Sequence, residues 1–167
     1  MCEEEDIDSA AYAAAVGGHT DVLDLLASEF GAEIGLDNLV WAARRGHDAM
    51  IDHLVEKYGV DPNGMDDYGR WTALHRAARF GRVRTIKHLV EKHNVDIHQR
   101  IWNGETVLDQ TERLGMTECA AVLRGYGATN GEPVEDENEE DEEDEEDWTE
   151  SDDWETDDNS DADHDVM

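Results

Sequence analysis

The stretch Thr72-Ala73-Leu74-His75-Arg76-Ala77-Ala78, followed by Gly81, decides the fold. Thr72 is of the residue type that accepts hydrogen bonds from the first N–H groups of a helix. Small residues such as Ala77 let a neighbouring helix pack closely, and Gly81 marks a turn. The stretch therefore predicts a short helix that begins after Thr72 and ends before Gly81.

Three other segments repeat this pattern around a glycine. The aligned glycines lie 28, 35 and 34 residues apart: Gly18, Gly46, Gly81 and Gly115. A predicted capping residue precedes each first helix: Ser9, Asp37, Thr72 and Thr106. Apolar pairs at helical spacing follow each glycine: Leu23/Leu26, Ile51/Leu54, Ile86/Leu89 and Ala120/Leu123. Each unit is predicted to form two helices, and no unit buries its apolar stripe alone, so four must stack around one continuous core.

The pattern resembles the ankyrin repeat, whose signature is Thr-Pro-Leu-His-x-Ala. The matching residues form one strong and one weaker copy: Thr72, Leu74, His75, Ala77 and Gly81, then Thr106 and Leu108. The resemblance covers roughly residues 8–128. It implies an all-α helical solenoid of about four repeats whose first helices line a concave side, with His75 in a structural hydrogen-bonding role.

Two departures from the family pattern concern the loops. Ala73 and Val107 replace the usual proline, and no turn-hairpin precedes Asp37, which explains the short spacing of 28 residues. The predicted organisation is an acidic arm, four repeats and a disordered acidic tail: 1–8, then 9–36, 37–66, 67–101 and 102–128, then 129–167.

Charge is concentrated in the tail. The chain has 167 residues and a formal net charge of −31, and residues 132–167 hold 22 of its 44 acidic residues with no Lys or Arg. Such a tail repels phosphates and anionic headgroups, so we expect neither direct nucleic-acid binding nor membrane binding. Two cysteines, Cys2 and Cys119, indicate a reducing compartment. We expect the cytosol, with the nucleus as the alternative.

We predict no catalytic residue, metal site or cofactor. No Gly-x-Ser-x-Gly elbow or phosphate-binding Gly-x-x-x-x-Gly-Lys motif occurs in the sequence. His53 and His88 occupy equivalent repeat positions and would supply two metal ligands at most, whereas zinc takes three or four. Cys119 takes a core position, which favours a buried thiol. The chain is therefore expected not to be an enzyme.

Arginines recur on the first helices. Arg44, Arg79 and Arg113 occupy one equivalent position, and Arg45 and Arg76 lie beside it. They predict a row in the concave groove that is suited to carboxylate recognition, because guanidinium binds both carboxylate oxygens. A solvated polar face is the alternative.

Aromatic residues mark the loop tips and the tail. Tyr68 and Trp102 occupy matching tips, with Trp71 and Ile101 close by, and they either anchor a partner or pack on one another. Trp148 and Trp154 interrupt the acidic tail as candidate anchors. The tail is either a solubiliser or a binding segment, and it can also fold back on the arginine groove.

These features predict a non-catalytic protein-binding module that is a monomer when free. The first hypothesis is a chaperone or escort for a basic client, such as a ribosomal protein or a histone, acting through the repeats and the tail. The alternative is a general adaptor that binds an acidic or peptide partner in the arginine groove, with the tail only solubilising or self-inhibitory.

Overall fold

The computed structural model describes residues 4–67 and 70–131, and within them it contains eight helices and no strand. The helices form four consecutive pairs: α1 (Glu4–Gly17) and α2 (Thr20–Phe30), α3 (Leu36–Arg45) and α4 (Asp48–Tyr58), α5 (Ala73–Arg79) and α6 (Val83–His93), α7 (Val107–Arg113) and α8 (Thr117–Gly125). The predicted all-α solenoid of about four repeats is confirmed. Among these described helices, none combines the length and the apolarity of a membrane span.

Two of the four predicted helix caps are present. Thr72 Oγ1 accepts a hydrogen bond from His75 N at 3.3 Å, and Thr106 Oγ1 accepts one from Asp109 N at 3.3 Å. Asp109 Oδ2 in turn accepts a hydrogen bond from Thr106 N at 2.9 Å, which completes a reciprocal cap. The sequence signal for these two helices was therefore correct.

The other two predicted caps were wrong. Helix α1 already begins at Glu4, so Ser9 lies inside the helix and part of the predicted 1–8 arm is helical. Helix α3 begins at Leu36, and Asn38 Oδ1 accepts a hydrogen bond from Gly35 N at 2.9 Å. Asp37 instead occupies the first turn of α3, where a carboxylate is favoured by the helix dipole.

The aligned glycines share one backbone conformation. Their φ angles are 73°, 83°, 67° and 71° for Gly18, Gly46, Gly81 and Gly115. This left-handed region disfavours residues with a Cβ atom, so glycine is required where each first helix turns into its second. The sequence alignment of the four repeats is thereby reproduced in the backbone.

The core runs through all four repeats. The first helices pack in chain order, α1 on α3, α3 on α5 and α5 on α7, and each also packs on its own second helix. Most members of the predicted apolar stripes are fully or almost fully buried: Leu23, Ile51, Leu54, Ile86, Leu89, Ala120 and Leu123. The motif residues Leu74, Ala77 and Leu108 are buried as well, as is the thiol of Cys119.

His75 is a buried structural residue. Its side chain is 1% exposed, its Nδ1 lies 2.8 Å from Thr72 Oγ1, and its ring packs edge-on against Trp71 at 6.3 Å between centroids. Burial lowers the pKa of His75 to about 4, while the backbone and charge of Glu105 act in the opposite direction. The imidazole is therefore neutral in the folded chain at neutral pH.

The repeat body extends past the predicted boundary at residue 128. Asn130 Nδ2 donates to Asp109 Oδ1 at 2.8 Å, and Gly131 N donates to Asp109 Oδ2 at 2.8 Å. Thr129–Gly131 are thus fastened to α7, although the sequence assigned them to the tail. The predictions for the remainder of the tail, including Trp148 and Trp154, fall outside the described residues, as does Tyr68.

Truncation of a core leucine should destabilise the whole stack. Leu54→Ala removes a fully buried side chain of α4, and we expect it to lower the free energy of unfolding by about 2–5 kcal/mol. Leu25→Ala is the matched control, because Leu25 is 53% exposed on α2. Urea unfolding followed by circular dichroism measures both, and equal losses would contradict the described core.

Buried neutral His75 predicts a specific pH dependence. Below its ordinary pKa of 6.5 the unfolded chain binds a proton at this residue that the folded chain excludes until about pH 4. Stability is therefore full above pH 6.5 and falls as the pH drops toward 4. His75→Gln should reduce the loss between pH 7 and pH 5 by about 2 kcal/mol, whereas His98→Gln, at an exposed histidine, should not. Urea unfolding at both pH values tests this.

Candidate functional site

The face formed by the first helices, called the first-helix face below, carries alternating aromatic and arginine side chains. Trp41 of α3 packs edge-on against Tyr12 of α1, with 5.2 Å between ring centroids. The guanidinium carbon of Arg44 lies 4.5 Å from the Trp41 ring centroid and 4.4 Å from that of Phe80. This cation–π sandwich joins the second and third repeats.

The same face continues around Trp71. Arg76 of α5 lies 4.9 Å from the Trp71 ring centroid and 5.7 Å from that of Trp41, and Arg79 lies 5.4 Å from Trp71. Arg76 Nη2 also donates to Asp66 Oδ2 at 3.1 Å. The aromatic rings and the arginines therefore hold one another in place.

The predicted arginines differ in their surroundings. Arg44 is only 7% exposed, because Trp41 and Phe80 cover it. Arg113 binds Glu105 with two hydrogen bonds, from Nε at 2.8 Å and from Nη2 at 3.2 Å. Arg45, in the last turn of α3, is half-buried. Arg44, Arg76 and Arg113, three members of the predicted arginine row, thus already contact partners within the chain.

The loop-tip residues separate into buried and exposed ones. Trp71 and Ile101 are 9% and 5% exposed and belong to the core, which disfavours the alternative that they anchor a partner. Trp102 is 69% exposed, the kind of placement that an anchor for a partner requires. The second tip residue, Tyr68, lies outside the described residues.

An acidic cleft of about 580 Å³ lies where the loops before α3 and α5 meet α1. Five carboxylates contribute to its wall: Asp8, Glu33, Asp37, Asp66 and Asp67. Asp66 is buried and bound to Arg76, whereas Asp37 and Asp67 are exposed. Desolvation and the nearby charges of Asp66 and Asp67 raise the pKa of Asp37, with Arg76 acting in the opposite direction. The cleft thus concentrates negative potential.

The cleft also has an apolar wall. Its other lining residues include Tyr12, Ile34, Leu36 and Met65. A lysine or arginine side chain pairs an apolar stem with a cationic head, so this combination suits either of them. The acidic cleft can therefore bind a basic side chain through both parts of that side chain.

Sequence reasoning missed this cleft, although its cause was visible. Five residues separate α2 from α3, whereas 14 separate α4 from α5 and 13 separate α6 from α7. The first loop lacks the hairpin that the other two are long enough to form. The space beside it is the acidic cleft, so the 28-residue spacing was the signal that could have located it.

The second helices are joined by carboxylate clusters. Asp24 Oδ1 lies 2.7 Å from His53 Nε2 and accepts from the Tyr58 hydroxyl at 2.6 Å, and Lys57 Nζ lies 2.6 Å from Asp24 Oδ2. Burial works to raise the pKa of this carboxylate, but hydrogen bonds from the three partners hold it well below its usual range. An equivalent cluster surrounds Asp52. His53 and His88 therefore each contact an aspartate of the preceding repeat.

Comparison with known protein families identifies a match. The family model of ankyrin repeats, three copies, matches residues 39–132, which is more than half of the chain. The comparison with curated proteins finds no relative at the similarity required.

Replacement of Trp41 tests the first-helix face. Trp41→Leu removes the ring that contacts Tyr12, Arg44 and Arg76, and we expect a loss of about 1–3 kcal/mol in the free energy of unfolding. Trp102→Leu is the matched control, because Trp102 is exposed, and it should change stability by no more than about 0.5 kcal/mol. Urea unfolding is followed by far-ultraviolet circular dichroism, because removal of a tryptophan changes the fluorescence signal itself.

Proposed function

Since this chain belongs to the ankyrin repeat family, whose repeats form protein–protein interaction modules, we propose that it is a non-catalytic chaperone or escort for a basic protein client. The acidic cleft is the observation that carries the proposal. It places exposed carboxylates beside apolar side chains on a rigid stack of helices. The client is of the class that ribosomal proteins and histones represent, rich in lysine and arginine and exposing apolar surface before assembly.

A basic side chain of the client enters the acidic cleft. Its aliphatic stem lies against Ile34, Leu36 and Met65, and its cationic head binds Asp37 and Asp67. Charge-assisted hydrogen bonds of this kind are stronger than neutral ones. Burial and the negative charges of Asp66 and Asp67 raise the pKa of Asp37, so a bound cation relieves repulsion that is present in the free protein.

The tail extends this recognition. Residues 132–167 carry 22 carboxylates and no basic residue, so they attract a basic client over the range that salt screening permits, about 8 Å at physiological ionic strength. Trp148 and Trp154 supply apolar groups for the apolar surface of the same client. The cleft gives a defined contact, and the tail covers the remaining positive charge.

The alternative, an adaptor that binds an acidic partner through arginines, receives less support. Arg44 is buried between two aromatic rings, and Arg76 and Arg113 already bind Asp66 and Glu105. A carboxylate from a partner, or from the tail, would have to displace these contacts. The first-helix face is therefore better suited to stabilising the stack than to recognising acidic groups.

The test compares two double variants of equal charge change. Asp37→Asn with Asp67→Asn neutralises the exposed carboxylates of the cleft. Asp21→Asn with Glu118→Gln neutralises two exposed carboxylates in the first turns of α2 and α8, away from the cleft. We expect clients captured from a lysate at ~150 mM salt to be basic. Their affinity should fall about tenfold in the cleft variant, which is about 1.4 kcal/mol, and remain near wild type in the control.

A third variant separates the contribution of the tail from that of the acidic cleft. Replacing every acidic residue of 135–147 by its amide keeps the length and removes the charge. The proposal predicts weaker capture of basic clients and a shallower salt dependence. Non-basic clients, or basic clients held equally by all four proteins, would contradict it.

A further inference from the structure

The two carboxylate clusters on the second helices differ in one of the groups that contact the aspartate. In the first, Asp24 Oδ1 contacts His53 Nε2 and the hydroxyl of Tyr58. In the second, Asp52 Oδ1 contacts His88 Nε2 and His93 Nε2, each at 2.7 Å. Tyr58 and His93 are both the last residue of their helices, α4 and α6. The second cluster therefore has two imidazoles around one carboxylate where the first has one.

This second cluster has the composition and compactness of a metal site. The ligand atoms of Asp52, His88 and His93 all lie within 4.8 Å of one another. Zinc binds histidine nitrogen and carboxylate oxygen at about 2.0–2.2 Å, so tetrahedral ligands stand about 3.4 Å apart. The 2.7 Å contacts must open by less than 1 Å to admit the ion, a change within the reach of side-chain rotation.

The ligand types also suit a cation, because an aspartate oxygen and two imidazole nitrogens are groups that bind transition metals. Each imidazole ligates through Nε2 once that nitrogen carries no proton, with the proton on Nδ1. Asp52 and His88 are partly exposed, which leaves room for a water molecule as a further ligand.

The positive charge of Lys92 opposes binding of a metal ion. Lys92 Nζ lies 2.6 Å from Asp52 Oδ2 and 2.9 Å from Glu56 Oε1. Its ammonium occupies the second oxygen of Asp52 and leaves Oδ1 to the histidines. Glu56 offsets its charge, so the cluster keeps one carboxylate oxygen and two imidazole nitrogens for a metal.

We propose that Asp52, His88 and His93 form a binding site for a divalent transition-metal ion, most naturally Zn²⁺, that bridges α4 and α6. Three protein ligands and water are the usual set for an accessible zinc site. The ion ties the second repeat to the third. Imidazole selects such a metal over Mg²⁺ and Ca²⁺, which prefer oxygen ligands, so the site differs in kind from the loose cation binding of an acidic tail.

The probe is Co²⁺ alone, added to the untagged full-length chain in excess Mg²⁺. The magnesium saturates oxygen-only sites, and Cys2→Ser in every chain removes the N-terminal thiol as a competing ligand. The variant His93→Tyr converts the second cluster into a copy of the first. His53→Gln is the matched control, because it removes the equivalent of His88 from the first cluster.

We expect one Co²⁺ per chain, with visible d–d absorption that Zn²⁺ displaces. His93→Tyr should weaken binding by at least the 10–100-fold that loss of an outer-shell partner costs, and His53→Gln should leave it unchanged. The absence of a saturable band in the parent chain, or a band that survives His93→Tyr, would overturn the proposal. So would an equal loss in His53→Gln.

A second measurement needs no variant. Zn²⁺ added to the ¹⁵N-labelled parent chain in the same Mg²⁺ should shift the side-chain nitrogen signals of His88 and His93. Shifts confined to other histidines, or none at any histidine, would refute the site even if His93→Tyr failed to fold.

Discussion

Close approach of the first helices is the constraint on which the structure depends. Ala42 and Ala43 of α3 and Ala77 and Ala78 of α5 are buried between neighbouring repeats, and larger side chains there would separate the helices. Leu54 and its equivalents on the other second helices belong to the same continuous core. Because each repeat contacts only its neighbours, stability is a property of the interfaces rather than of any single repeat.

Polar contacts reinforce the same interfaces on both sides of the stack. On the first helices, Arg44 is held between aromatic rings of two repeats. On the second helices, Asp24 and Asp52 each accept hydrogen bonds from the following repeat. The two sides use different chemistry, cation–π on one and carboxylate–imidazole on the other. Arginine, aromatic, aspartate and histidine side chains often bind partners in other proteins. In this chain they stabilise the interfaces between repeats.

Sequence alone predicted the parts of this molecule that depend on local pattern. The motif from Thr72 to Gly81, the glycine alignment and the apolar stripes located the helices and most of the core. The environment of Arg44 could not be predicted from local pattern, because it depends on Phe80, which is 36 residues away in the sequence. The approach of His93 to Asp52 is equally non-local. The acidic cleft was partly predictable. The sequence showed that the loop before α3 is short, but not that the short loop leaves a cleft beside it.

The hydrogen bonds between Asp109 and the segment Thr129–Gly131 change how the end of the stack behaves. In a one-dimensional array the terminal unit has a neighbour on one side only, so it frays first. Here the chain leaves α7, forms α8 and returns to α7, which closes the last helix into a loop fixed at both ends. Unzipping from this end therefore requires the loop to open before α8 can detach, and tension on the chain beyond Gly131 is borne by α7 rather than by the outermost helix.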